Sequence, residues 1–124
     1  MENRKELDFE PRDNRIKVDI IPISVNKAWQ GKRFKTPAYK AYEKHLLLLL
    51  PKIVVPPGKL KLILEFGMSN MASDWDNPVK PFQDILQKKY WFDDRNIWEA
   101  QVTKFKVEKG QEYVKFEFIS INNK

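Results

Sequence analysis

Arg15-Ile16-Lys17-Val18-Asp19-Ile20-Ile21 alternates polar and apolar side chains with period two, which predicts a strand that Pro22 ends. The same alternation returns at Leu60, Leu62, Leu64 and Phe66 against Lys59, Lys61 and Glu65, just after the turn-forming Pro56-Pro57-Gly58. Between these strands, Thr36 offers a capping hydroxyl and Pro37 suits the first helical position, so a helix is predicted to about Leu50, where Pro51 stops it. Ile23 to Lys35 reads as a loop or hairpin around Gly31, and Gly67 to Ser73 as a small-residue loop. Val79, Phe82, Ile85, Leu86 and Lys89 recur at helical spacing, which predicts a second helix with Asn77 as its cap, Pro78 just inside and an irregular start at Pro81. Glu99–Val107 and Glu112–Ile119 read as strands joined in a hairpin at Glu108-Lys109-Gly110-Gln111. The order is β-α-β-α-β-β, an α+β domain with a mixed sheet and helices packed on it.

The chain has 124 residues, room for one core and not two, with residues 1–13 expected as a mobile polar segment and 14–124 as the domain. It contains no cysteine, which excludes disulfides and thiolate metal sites. Met1 to Glu6 lacks the apolar core of a signal peptide. The longest apolar run, Leu46 to Leu50, falls far short of the roughly 20 residues a membrane helix needs, so a soluble, cytoplasmic protein is expected.

Charge changes the picture. The formal net charge is +6, and Lys27, Lys32, Arg33, Lys35, Lys40 and Lys44 face only Glu43 between Ser24 and His45. The acids collect later, with Asp74, Asp76, Asp84, Asp93 and Asp94 inside one short stretch. Crowded carboxylates are costly unless a cation neutralises them, and a basic surface beside them favours a polyanion. Together these point to a metal-dependent enzyme acting on phosphodiesters, with the basic segment gripping a nucleic-acid backbone.

Asp74 and Asp76 lie two apart, so in an extended segment both side chains point to one side. They stand between a strand end and a helix start, where backbone amides also favour phosphate. Their hard oxygens suit Mg²⁺ or Mn²⁺ rather than zinc. The plainer alternative is that Asp76 or Asn77 caps the helix and Asp74 is solvated. Lys80 and Asp84 share a helix face: either a surface ion pair worth about 0.3–0.5 kcal/mol or a cation beside the metal. Asp93-Asp94 alone reads as a turn, and Tyr90-Trp91-Phe92 as core. His45 reads as structural, and with no second histidine a histidine-based nuclease of the HNH kind is disfavoured. Trp29 suits the core or a stacked base equally well. There is no phosphate-binding glycine loop and no nucleophilic triad.

In combination, D-x-D-N-x-x-K-x-x-x-D (Asp74, Asp76, Asn77, Lys80, Asp84), the later Trp91-Phe92-Asp93-Asp94 and the P-x-S-x-N element Pro22-Ile23-Ser24-Val25-Asn26 resemble the RusA family of Holliday junction resolvases. The resemblance spans roughly residues 15–107. It implies a homodimeric, Mg²⁺-dependent endonuclease, with Mn²⁺ as a substitute, that nicks four-way DNA junctions symmetrically. By that correspondence Asp74, Asp76 and Asp94 hold the metal and Lys80 is the essential lysine, with Asp93, Asp84 and Asn77 as supporting residues. Lys27, Lys32, Arg33, Lys35 and Lys40 would contact DNA. Pro78 and Pro81 around Lys80, and a loop before Asp74 poor in basic residues, depart from the pattern. The rivals are a non-catalytic nucleic-acid-binding module and a Mg²⁺-dependent hydrolase of small phosphates; the extended basic segment argues against the latter.

Overall fold

The computed structural model describes residues 15–30, 34–72 and 74–121. The segment 1–13, Lys32, Arg33 and Ser73 lie outside the described residues. The alternation at Leu60–Met68 becomes the longest-buried strand, β4, with Leu60, Leu62, Leu64 and Phe66 all turned into the core. A strand buried this way needs neighbours on both edges to satisfy its backbone. β5 (Ile97–Lys106) lies parallel to it on one side and β6 (Tyr113–Ser120) antiparallel on the other. β1 (Ile16–Val18) adds to the far edge of β6, giving the mixed order β1-β6-β4-β5.

The predicted hairpin of the last two strands is therefore not formed, because β4 sits between them. Pairing β5 directly with β6 would have left apolar β4 at an edge. Instead the connection passes the end of β4, where the Val107 amide donates to the Met68 carbonyl at 3.0 Å. Gly67 belongs to the strand rather than to the following loop, and it must be glycine: a Cβ there would collide with the Tyr113 ring. β1 is shorter than its alternation suggested. Its partner β6 begins at Tyr113, so the pairing runs out after Val18 opposite Val114.

Two helices cover one face of the sheet. α2 (Pro37–Leu49) starts as predicted: Thr36 Oγ1 accepts from the Tyr39 amide at 3.1 Å, with Pro37 at the first helical position. α3 (Val79–Tyr90) supplies the crossover that a parallel β4–β5 pair requires. Its Phe82 is fully buried, edge-on to Phe66 and Phe116. The Ile23–Lys35 region contains a one-turn helix, α1 (Val25–Ala28), and a two-residue ladder of β2 (Trp29–Gln30) with β3 (Phe34–Lys35). The result is an α+β domain. Among the described residues no helix is long and apolar enough to cross a membrane.

Candidate metal and nucleic-acid site

The stretch from Asp74 to Pro78 is a turn rather than an extended segment, closed by the Asn77 amide on the Asp74 carbonyl at 3.2 Å. The period-two argument for Asp74 and Asp76 therefore does not apply; both carboxylates are exposed because the turn projects from the fold. Nor is Asn77 the helix cap. Pro78 occupies that position without a side-chain cap bond, and the Val79 amide donates to the Asp76 carbonyl at 3.1 Å. Pro81 falls in the first turn, where a missing N–H removes a donor that would have had no helical partner. The same chemistry weakens the expected phosphate cradle, since Pro78 and Pro81 offer no amide and that of Val79 is taken.

Lys80 and Asp84 form the ion pair their spacing suggested, at 2.9 Å, with the lysine well exposed. Beyond α3, Asp93 caps a 3₁₀ turn (Asp94–Asn96): it accepts the Arg95 amide at 2.9 Å and the Arg95 guanidinium at 2.8 Å. Those hydrogen bonds hold its carboxyl below the usual carboxylate range. Asp94 is exposed and keeps its carboxylate free of that pair. Asp76 precedes α3 and Asp94 follows it, and a 12-residue helix separates its ends by roughly 18 Å. Within the chain, Asp94 and the Asp74–Asp76 turn stand at opposite ends of the sheet, since β5 begins opposite Leu60 and the turn follows the far end of β4 at Met68. Among the described residues no three His, Cys, Asp or Glu side chains are grouped to hold an ion. Two carboxylates are nevertheless an adequate protein share for Mg²⁺, which commonly keeps water and takes its remaining ligands from substrate phosphate.

The two sequence elements that carry the resemblance meet. The Val25 amide donates to the Asn77 carbonyl at 2.9 Å, fixing α1 against the acidic turn. Ser24 caps α1 by accepting from the Lys27 amide at 3.3 Å. Thr36 Oγ1 donates to the Lys27 carbonyl at 2.6 Å, welding α1 to the start of α2. Lys27 and Lys40 are thereby exposed at the end of the molecule that carries Asp74 and Asp76. Lys35 is engaged: its ammonium lies 3.3 Å from Glu43 and over the Tyr39 ring. Glu43 also receives Lys88 at 3.0 Å. Burial pushes its carboxyl up, but the hydrogen bonds and charges of Lys88 and Lys35 outweigh that and hold it below the usual range.

Trp29 packs half-buried against Tyr39, with ring centroids 5.6 Å apart, which answers to its core reading. Two other readings are corrected. His45 is exposed, because α2 turns Tyr42 and Leu46 inward and leaves position 45 outside. Tyr90 and Phe92 pack on the core, but Trp91 is 89% exposed. It ends α3 in a left-handed conformation, φ 59°, which throws its indole into solvent. A cleft of about 610 Å³ between the β1–α1 connection, α2 and the end of β4 went unforeseen. Its lining comes from distant stretches of sequence, so no local signal could have found it. No family model matches this chain, and no curated protein is significantly similar to it.

Proposed function

We propose that the protein is a Mg²⁺-dependent, structure-selective endodeoxyribonuclease that resolves four-way DNA junctions by paired nicks. The observation that carries this reading is the Val25–Asn77 hydrogen bond, which sets the exposed Asp74–Asp76 turn beside the cations of α1 and α2. Carboxylates that would accept a hard cation, beside ammonium groups that would grip a phosphate backbone, are the two parts a phosphodiesterase needs, and their adjacency supports this reading.

Asp74 and Asp76 are the residues that would hold Mg²⁺, which when bound supplies an acidified water and charge neutralisation at the scissile phosphate. Lys80 holds its ammonium one helical turn into α3, 2.9 Å from Asp84, so that its charge is oriented rather than free to wander. It adds positive charge near the phosphate as negative charge develops there. Lys27 and Lys40 position the backbone without reading sequence. Asp94, some 18 Å away along α3, can reach the same ion only from a second protomer. A two-fold dimer therefore answers two demands at once, completing each carboxylate set and providing two sites for a junction of two-fold symmetry.

The test is cleavage of labelled junction, duplex and nucleoside triphosphate, each with and without Mg²⁺. Mg²⁺-dependent paired nicks confined to the junction are expected. Asp74→Asn and Asp76→Asn should abolish cutting while junction binding survives. Triphosphate hydrolysis, or junction binding with no cutting under any divalent ion, would replace this reading with one of its rivals.

A further inference from the structure

Trp91 is 89% exposed and ends α3 in a left-handed conformation, φ 59° and ψ 42°. Both facts run against the ordinary preferences of tryptophan. A bulky side chain in that region crowds its own backbone, which is why helices that end this way commonly place glycine there. An indole is also among the largest apolar surfaces a residue can withdraw from water, and this one withdraws almost none of it. The Trp91 amide donates to the Gln87 carbonyl at 2.8 Å, so the backbone closes the helix without help from the side chain. Glycine would serve the fold at least as well at this position. The indole therefore answers to a need outside the fold.

Its surroundings say what kind of partner fits. The open groove beside the indole is lined by Asp84, Gln87, Lys88, Phe92 and Asp93. Phe92 packs on Phe118 and the core, so the rest of the rim is polar or charged. A protein surface seated there would have to strip water from those charges. A nucleobase would not, because it offers a flat apolar face to the indole and keeps its polar edge in water. Cations stand at the same end of the molecule. Lys88 and Lys89 make the last turn of α3 basic; Lys88 stays exposed while bonded to Glu43, and Lys89 donates to a carbonyl, that of Leu47, rather than to a carboxylate. At the start of β5, Trp98 is 64% exposed with the Lys59 ammonium 4.1 Å from its ring centre. Exposed indoles interleaved with ammonium groups hold single strands by stacking bases and gripping phosphates. We propose that Trp91 is a stacking platform for an unpaired base, which makes this end of the molecule a contact for single-stranded or branched DNA. Every base has a π-face, so the platform distinguishes unpaired from paired nucleotides and reads no sequence.

The inference rests on the DNA reading above, so its test is made independent of cleavage. Anisotropy of labelled oligothymidine, four-way junction and blunt duplex with the full chain, without divalent ions, reads binding alone. Trp91→Gly should bind the single strand and the junction roughly 5- to 140-fold more weakly, the loss that one stacked base implies, and the duplex as before. Trp91→Phe, which keeps a ring, should recover most of that loss. The slope of log Kobs against log salt should stay unchanged, because no cation is removed. The melting temperature of Trp91→Gly should be no lower than that of the wild type, since the exposed indole gives up no packing and the Gln87 bond stays. Single-strand binding that survives Trp91→Gly, an equal loss on duplex or a changed salt slope would each overturn the proposal. So would a lower melting temperature, which would show the indole packed on its own chain, or a change from dimer to monomer in light scattering, which would make it a contact between copies. A Trp91-dependent preference for single strands in a chain that cuts no junction keeps the platform and removes the nuclease reading. Mg²⁺-dependent junction cutting by a chain whose single-strand binding ignores Trp91 does the reverse.

Discussion

Replacing Glu43 by glutamine should move stability and DNA binding in opposite directions. Glu43 is the one acid between Ser24 and His45, and its two oxygens hold Lys35 at 3.3 Å and Lys88 at 3.0 Å. Exposed or half-exposed pairs of this kind are worth about 0.2–1 kcal/mol each, so Glu43→Gln should cost roughly 0.5–2 kcal/mol. For 124 residues the unfolding entropy is about 0.26 kcal/mol/K, so the melting temperature should fall by about 2–8 °C. The same change releases two ammonium groups, those of Lys35 and Lys88. Each one that takes up a phosphate steepens the dependence of log Kobs on log salt by about 0.9, or about 1.8 for both. Anisotropy of a labelled four-way junction, without divalent ions and over roughly 50–200 mM salt, reads the slope directly. A lower melting temperature with an unchanged slope would show that Lys35 and Lys88 face away from DNA. A wild-type chain that binds no junction at low salt would remove the nucleic-acid reading altogether.

Phe82→Ala empties a fully buried ring site between Phe66 and Phe116 and should cost about 3–5 kcal/mol, or about 12–19 °C by calorimetry; a loss under 1 kcal/mol would mean α3 is not anchored there. Asp94→Asn should eliminate single-turnover cleavage at any Mg²⁺ concentration, whereas Asp93→Asn loosens only the 3₁₀ turn that Asp93 caps and leaves measurable activity; the reverse pattern would exchange their roles. Glu43 and Glu112 both have carboxyls below the unfolded value of about 4.3, so their stabilisation is complete above that value and is lost as pH falls through the folded values. Chemical denaturation across pH 7 to about 3 should therefore show a decline that Glu43→Gln makes shallower; an identical profile would mean that Glu43 is not responsible.

Regular periodicity made the elements legible. The alternation at Leu60–Phe66 and the Thr36-Pro37 start each reflect a choice made within a few residues. Strand pairing is not local, which is why Gly110 read as the tip of a hairpin when its flanking strands lie on either side of β4. Around the candidate site, the Lys80–Asp84 pair followed from helical spacing alone. The separation of Asp94 from Asp74 did not, because it depends on α3 running the length of the sheet between them. Likewise Lys35 reads from the sequence as a DNA contact, and its pairing with Glu43 depends on how β3 meets the following helix.

The place of β6 bears on how the chain is made. Ile16 lies opposite Phe116, and Leu64 pairs with the same residue from the other side, so the last strand joins the first strand to the middle one. A nascent chain emerging from the ribosome can form α2 and the β4-α3-β5 unit early. It must keep one edge of β4 and the whole of β1 waiting until Ser120 is clear of the exit tunnel. Until then the acceptor and donor groups of β4 form an open edge, and premature termination anywhere before Tyr113 leaves a sticky strand rather than a smaller folded domain.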